Sequence, residues 1–362
     1  MDASIGSRVR TLLERSTMTQ RALARDVGMA PDALSRAISG QRGFAAVEVA
    51  NIAQTLGVDV HWLITGTQDP RRLRIAARHT FDQASGTYEN ATRGDDERVL
   101  GNIRLAYRHA FRDGHPEATR LPSDLDGVRE RLGDAWPLDF AQRLEDRLGV
   151  DVVRVEELAT PYSFWVADRA VVALPDNEPW GRANFSLAHE LAHLVAGDHD
   201  VEEGGTSAES RANRFAAELL MPGGALRAVD WSSVTAQDLG TQLWELGVTT
   251  EALRVRLGAL NIAVPDRVVE WLRLPTPTFL RHRAFPASRW TAVTDRERAA
   301  RARRFPTALT QALEDRVAAG QANPTTLAWV MGVDVEDLEV QPPEPPDLST
   351  YDLAAALGIA LG

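Results

Sequence analysis

The stretch SLAHELAHLVAGDH, residues 186–199, is the most informative segment of this chain. It places His189 and His193 four residues apart, with Glu190 directly after the first histidine. Further on, ESRANRFAAELLMP, residues 209–222, begins with a second glutamate. Both stretches have apolar residues at helical spacing, which predicts two helices joined by a short loop.

The two histidines have the geometry of a metal site. Four residues along a helix turn the chain by about 400°, so His189 and His193 lie on one face about 40° apart. Their imidazoles can converge on one ion, and this H-E-x-x-H spacing is that of zinc hydrolases. Glu190 lies about 100° further round, where it can contact a water on the ion as a general base. The alternative is a helix whose histidines bond only to backbone or solvent.

The third ligand has two candidates. The chain has no cysteine, so only His, Asp and Glu remain as metal ligands, and a catalytic zinc needs three of them plus an open position. His199 stands where the metzincin pattern has its third histidine, but Ala196 occupies the place of the glycine that this pattern requires. Glu209 begins the next helix, from which its carboxylate can reach across two antiparallel helices. We therefore predict Glu209 rather than His199.

The segment before the histidine helix predicts a helix followed by a small sheet. DFAQRLEDRLG has helical spacing, whereas VDVVRVEEL and YSFWVADRAVVALP are short, β-branched and aromatic. Ser186 is the expected N-cap of the histidine helix and Gly197 its expected end, and the next helix is expected from about Ser207 to Leu220. The strand at AVVALP could bind an extended substrate by edge pairing, or it could be a core strand.

FSLAHELAHLVAG followed by ESRANRFAAELLMP resembles the ImmA/IrrE family of zinc metallopeptidases. The resemblance covers about residues 140–260, including LGTQLWELGVTTEALRVRL, which is similar to the helical segment after that family's catalytic core. It implies a small α+β zincin-like metalloprotease domain. In that domain the resemblance assigns zinc (Zn²⁺) binding to His189, His193 and Glu209, and the catalytic base to Glu190.

Residues 5–66 predict a compact all-helical unit, because their apolar positions follow helical spacing and are punctuated by glycines and Pro31. Within it, TQRALARDVGMAPDALSRAISGQR has helix-turn-helix spacing and resembles the XRE (lambda-repressor-like) family. A helical unit that docks another protein is the alternative. The resemblance assigns four residues to DNA binding: Gln20 at phosphate, and Asp32, Ser35 and Arg36 facing the major groove.

The chain has 362 residues, enough for several domains, and a formal net charge of −11, so contact with DNA requires a local patch. Its first residues, MDASIGSRVRTLLERS, have no apolar core of signal-peptide length, and no apolar run approaches a bilayer span, which predicts a cytoplasmic protein without a membrane partner. The expected fold class is multidomain and mainly α, with a small α+β zincin-like domain and an all-α helix-turn-helix domain at the N-terminus. We predict six regions: 1–66 helix-turn-helix, 67–138 helical linker, 139–224 peptidase core, 225–290 helical extension, 291–340 further helical region, and 341–362 proline-rich tail.

Together these patterns predict a DNA-binding zinc endopeptidase linked to transcription, with a regulatory protein such as a repressor as its substrate. The helices after residue 225 are expected to pack on the peptidase and to hold the substrate. Folds of the helix-turn-helix type usually bind paired half-sites as dimers, which allows a homodimer. The alternative function is a DNA-binding regulator whose protease-like domain acts as a sensor or scaffold. Five arginines are expected to form a basic helix face, which is usually solvated but could accept an acidic partner: Arg296, Arg298, Arg301, Arg303 and Arg304.

Overall fold

The protein divides into two compact units, Met1–Leu73 and Arg74–Gly362. The computed structural model describes residues 4–16, 18–56, 58, 60–66, 74–77, 80–82, 87–89, 93–112, 117–197 and 206–340. Within these ranges no helix combines the length and apolarity needed to span a bilayer.

The described part of the first unit is all-helical, as predicted. Thr19 caps the second helix, because its hydroxyl accepts the backbone N–H of Ala22. Leu23, Leu34 and Ile52 come from three different helices and are fully buried in one core. The helices are α1 Ile5–Arg15, α2 Gln20–Asp26, α3 Pro31–Ile38, α4 Ala46–Thr55 and α5 Val60–Thr65.

The turn between α2 and α3 follows from two residues. Gly28 has a φ of +70°, a left-handed conformation in which a side chain would be strained. Pro31 is the first residue of α3, where the N–H that proline lacks has no helical partner to lose. The predicted start of the second motif helix near Pro31 is therefore confirmed.

The second unit contains a small sheet and many helices, so the predicted fold class is confirmed. Its strands are β1 Arg74–Ala77, β2 Thr80–Asp82, β3 Thr87–Glu89, β4 Val150–Val155, β5 Tyr162–Val166 and β6 Arg169–Pro175. Its first helices are α6 Arg93–Ala110, α7 Leu125–Leu132, α8 Phe140–Arg143 with a π turn Leu144–Leu148, α9 Trp180–Ala196 and α10 Thr206–Leu220. Its later helices are α11 Gly223–Ala228, α12 Ala236–Leu246, α13 Thr250–Ala259, α14 Asp266–Leu272, α15 Thr276–Phe279, α16 Trp290–Arg301, α17 Thr307–Ala318 and α18 Pro324–Met331.

Four strands form one sheet in the order β1-β5-β6-β4. β4 and β6 run parallel, whereas β5 is antiparallel to β6. The segment AVVALP belongs to β6, which lies between β5 and β4 and is buried on both sides. The interpretation of this segment as a substrate-binding edge is therefore wrong, and it is a core strand.

β1 lies where the sequence predicts a helical linker. Arg74–Ala77 pairs antiparallel with β5 and forms an outer strand of the sheet, and β2 pairs with β3 in a separate hairpin. Strands of three or four residues are too short to show a period in the sequence. The expectation of helices alone across 67–138 therefore missed them.

α6 is fixed to the sheet by two buried hydrogen bonds between tyrosine and aspartate. The Tyr107 hydroxyl donates to Asp151 of β4 at 2.6 Å, and the Tyr162 hydroxyl of β5 donates to Asp96 at 2.7 Å. Burial, followed by the charge of Asp151, raises the pKa of Tyr107, so its hydroxyl stays protonated. The helix is thus an integral part of the second unit.

The helices after residue 225 pack on the same core as α9. Leu239 and Leu243 of α12 and Leu253 of α13 are fully buried in an apolar cluster that also contains Leu187 and Leu191 of α9. The expectation that these helices pack on the peptidase region is confirmed for α12 and α13.

The arginines of α16 and the residues after it do not share one solvated face, contrary to the expectation. The Arg296 guanidinium lies over the rings of Trp180 and Trp244, 4.1 and 4.6 Å from their centroids. Burial lowers the pKa of Arg296 to about 10. Arg304 pairs with Glu145 at 2.7 Å. These partners come from distant parts of the chain, so helical spacing alone does not reveal them.

Candidate metal centre

The histidine motif lies in α9, which begins earlier than the sequence indicates. Ser186 is not the N-cap, because Pro179 occupies that position and its carbonyl oxygen accepts the first helical N–H groups. The Ser186 hydroxyl instead donates to the buried Glu178 at 3.2 Å. The predicted end of the helix is confirmed, since Gly197 has a φ of +68° and its N–H bonds to the carbonyl oxygen of His193.

α9 separates an apolar face from a polar one. Leu187 and Leu191 pack into the core, whereas His189 and His193 contact Glu209 in the first turn of α10. The two histidines and Glu209 are at most 3% exposed. Burying polar groups costs free energy unless each finds a partner, so this cluster needs mutual hydrogen bonds or an ion.

The donor atoms of the cluster stand at the spacing of zinc ligands. His189 Nε2 lies 3.2 Å from His193 Nε2 and 3.2 Å from Oε2 of Glu209, and His193 Nε2 lies 3.5 Å from Oε1 of Glu209. In a tetrahedral site with bonds of about 2.0–2.1 Å, neighbouring ligand atoms are about 3.3–3.4 Å apart. The three side chains therefore fit a zinc ion.

Asn213 sets the tautomer of His189. Asn213 Oδ1 lies 3.1 Å from His189 Nδ1, and an amide oxygen only accepts, so Nδ1 carries the proton. His189 Nε2 then presents a lone pair towards His193 Nε2, which requires a cation or a proton between the rings. Such an outer partner is the usual support of a metal-binding histidine.

Glu209 is held as a carboxylate. Burial raises its pKa. When His189 and His193 are protonated on both ring nitrogens, as they can be without an ion between them, their hydrogen bonds to Glu209 and their positive charge outweigh burial and lower the pKa to about 2. A ligand carboxylate must be deprotonated to bind a metal. The charge state of Glu209 therefore also suits a zinc site.

Glu190 lies beside the three donors without joining them. Its Oε2 accepts a 2.7 Å hydrogen bond from the Ser163 hydroxyl of β5. Its Oε1 is buried and has no hydrogen-bond partner among the residues that the structure describes. Burial is the largest influence on the pKa of Glu190 and raises it. One oxygen is fixed and the other is free, an arrangement suited to a group that accepts and returns a proton.

The structure brings together the four residues predicted for this site: His189, Glu190, His193 and Glu209. The sequence analysis missed Ser163, which is 27 residues from Glu190 on a strand, where no spacing rule connects the two. It also gave no role to Asn213, although helical spacing places Asn213 one turn after Glu209. His199, the rejected candidate ligand, lies outside the described residues.

A cavity of about 830 Å³ lies beside the cluster, between the first half of α9, α10 and α13. Its wall is mainly apolar, and Val255 within it is 56% exposed. Asn213, which bonds His189, is among the lining residues, whereas His189, Glu190, His193 and Glu209 are not. Five arginines are among its lining residues: Arg182, Arg214, Arg256, Arg273 and Arg301.

In the first unit, the residues assigned to DNA lie at the surface. Gln20 is the first residue of α2, and Asp32, Ser35 and Arg36 are exposed on α3. The opposite face of α3 packs Leu34 into the core. α3 therefore presents an exposed polar face.

Two family models match parts of the chain. Residues 145–258 match the IrrE N-terminal-like domain of a peptidase family, and residues 4–62 match a helix-turn-helix domain. The first match contains the whole candidate metal centre. No curated protein and no solved structure matches the chain. The predicted combination of an ImmA/IrrE-like peptidase domain with an amino-terminal helix-turn-helix domain is confirmed.

Proposed function

We propose that this chain, which joins a helix-turn-helix domain to an IrrE-like peptidase domain, is a DNA-binding zinc endopeptidase that cleaves a regulatory protein such as a transcriptional repressor. One observation carries the proposal. His189, His193 and Glu209 present their donor atoms 3.2–3.5 Å apart, and Glu190 lies buried beside them.

Glu190 is the residue that transfers the proton. A zinc ion held by His189, His193 and Glu209 would supply Lewis-acid activation of a water and of a peptide carbonyl. Glu190 accepts a proton from the attacking water and then donates it to the leaving amine. Because Ser163 holds Oε2, Oε1 is the atom that carries this proton.

The buried position of Glu190 favours this role. Burial raises the pKa of its carboxyl group, so its carboxylate is a stronger base than that of an exposed glutamate. The hydrogen bond from Ser163 keeps the carboxylate in one orientation, which reduces the reorganisation needed when the proton moves.

The first unit brings the peptidase to DNA or to a DNA-bound repressor. Arg36 and Ser35 of α3 face the major groove together with Asp32, and Gln20 approaches a phosphate. The net charge of −11 opposes binding, and each chain has one reading helix, so stable binding requires two chains on paired half-sites. The reaction takes place in the cytoplasm, where DNA and its repressors are found.

The cavity beside the metal centre supports docking of a protein substrate. Val255 offers exposed apolar surface there, and no ion pair engages Arg214 or Arg273 within the described residues. An apolar segment flanked by acidic residues would complement both features. Selectivity then comes from docking, and the scissile segment enters the site only when the substrate is held.

A second function is a DNA-binding regulator whose peptidase-like domain senses or scaffolds without cutting. The structure favours the enzyme, because a scaffold has no chemical use for a buried carboxylate held beside three potential metal ligands. Glu190 and Ser163 are the residues that separate the two functions, since both are dispensable for metal binding alone.

Comparison of protein N-termini in cells carrying the wild type or Glu190→Gln tests the proposal. Gln keeps the volume of the side chain and still accepts the Ser163 hydroxyl, but it cannot take up a proton. We expect one regulatory protein to acquire a new N-terminus only in the wild-type cells. Identical sets of N-termini in both strains would favour the sensor.

A further inference from the structure

We propose that Arg74–Ala77 occupies the edge of the sheet at which this peptidase binds an extended polypeptide, and that a substrate must displace it. The inference rests on the proposed peptidase function and concerns the accessibility of the same site. β1 lies outside residues 145–258, which match the peptidase domain. It belongs to the segment that directly follows the first unit along the chain.

Without β1, the outer strand of the sheet would be β5. β5 pairs with β6 on one side and with β1 on the other. An exposed strand edge carries unpaired N–H and C=O groups that a second extended chain can satisfy. Peptides bind to sheet edges in this way, with the backbone providing affinity and alternate side chains providing selectivity.

The position of β1 along β5 connects it to the metal centre. In the antiparallel register Ala76 lies opposite Ser163, and Ser163 is the residue whose hydroxyl holds Glu190. α9, which carries the histidines, contacts both β5 and β1. The backbone of β1 therefore already lies along the sheet edge beside Glu190, the proposed base. The backbone of an extended peptide substrate would take the same position.

Because β1 belongs to the same chain, it competes strongly with outside peptides. A tethered segment acts at an effective concentration of about millimolar. Peptides with weak affinity for the β5 edge therefore remain unbound, whereas a docked protein partner raises its own local concentration and replaces β1. The peptidase is selective in this way even though its site recognises backbone.

Two pairs of substitutions test the occupancy of the edge. Successive N–H groups of a strand point to opposite sides, so Ala76→Pro with Ala77→Pro removes at least one donor to β5, whereas Ala76→Ser with Ala77→Ser keeps both. Each pair is placed in the full chain with Glu190→Gln, so that nothing is cut. The probe is a fluorescent synthetic peptide, RRLRIAARHT, which has the sequence of residues 71–80.

Fluorescence anisotropy should show that the proline variant binds the peptide about tenfold more tightly than the serine variant, because only the proline variant has an open edge. Equal affinities, or no binding to the proline variant, would overturn the proposal. Neither result depends on cleavage, so a failure of this proposal can be distinguished from a failure of the proposed peptidase activity.

Hydrogen exchange at the β5 amides, Tyr162–Val166, provides a second reading that does not require the proline variant to fold normally. In the wild-type chain the β5 amides that face β1 should be protected from exchange. The serine variant should show the same protection. Free exchange of those amides in the wild type would show that β1 does not occupy the edge and would overturn the proposal.

Discussion

The tautomer of His189 depends on a residue of the next helix. Asn213 accepts the Nδ1 proton, which leaves Nε2 directed towards His193 and Glu209. Glu209 lies one turn before Asn213 on α10. A single helix thus supplies both a candidate ligand and the group that orients another candidate ligand, so α10 is as important to the site as the helix that bears the histidines.

At the residue scale, the identity of the third ligand is directly testable. Glu209→Ala removes the only carboxylate that contacts both histidines among the described residues, and two histidines alone bind zinc weakly. We expect Glu209→Ala to lose zinc on dialysis, whereas the wild type retains about one zinc per chain, measured by inductively coupled plasma mass spectrometry.

His199→Ala is the matched control, because it removes the other candidate ligand. It should retain zinc at the wild-type level. Retention of zinc by Glu209→Ala together with its loss from His199→Ala would show that His199, not Glu209, completes the site.

The sequence predicted the residues of the site that local geometry determines. His189, Glu190 and His193 follow from helical spacing alone, and Glu209 follows from the expected pairing of two helices. Ser163 could not be predicted, because its contact with Glu190 depends on how a strand packs against a helix. The roles assigned to these residues stay predictions until the variants are measured.

At the scale of elements, α3 should read DNA and α2 should position it. Arg36→Ala removes an exposed side chain from the face of α3 and should relax sequence preference, with a loss of about 1–3 kcal/mol at one base position. Gln20→Ala should weaken binding to all sequences similarly, since a phosphate contact carries no sequence information. Binding to a randomised DNA library at low salt measures both.

The opposite pattern would contradict the assignment of these helices. If the full chain selects no sequence at low salt, the first unit is a protein-docking module. If Gln20→Ala alters preference while Arg36→Ala does not, the unit binds DNA in another orientation.

The ends of helices were predictable where a single residue determines them. Pro31 begins α3 and Gly197 ends α9, as expected, because both residues restrict the backbone themselves. The prediction of Ser186 as an N-cap was wrong, since Ser186 lies within α9 and its hydroxyl donates to the buried Glu178, which precedes the helix. β1 was missed because its pairing with β5 is a contact between segments far apart in sequence.

On the scale of the whole molecule, the segments proposed for recognition and for cleavage follow one another along the chain. The first unit ends at Leu73, and the strand that we propose as the internal occupant of the peptide site begins at Arg74. The helices after residue 225 share the core of α9 and form part of the cavity wall. The proposed docking cavity and the candidate metal centre therefore belong to the same packed structure in the second unit.

The central claim is that this protein cuts a regulatory protein with Glu190 as the base. Cleavage of a purified regulatory protein, encoded beside the gene for this chain, tests it most directly. Zinc-loaded wild type and Glu190→Gln are each incubated with it, and the fragments are identified by mass spectrometry. The account predicts a defined cut by the wild type and none by Glu190→Gln, with equal zinc content because His189, His193 and Glu209 are unchanged. The same fragments from both proteins would contradict the account.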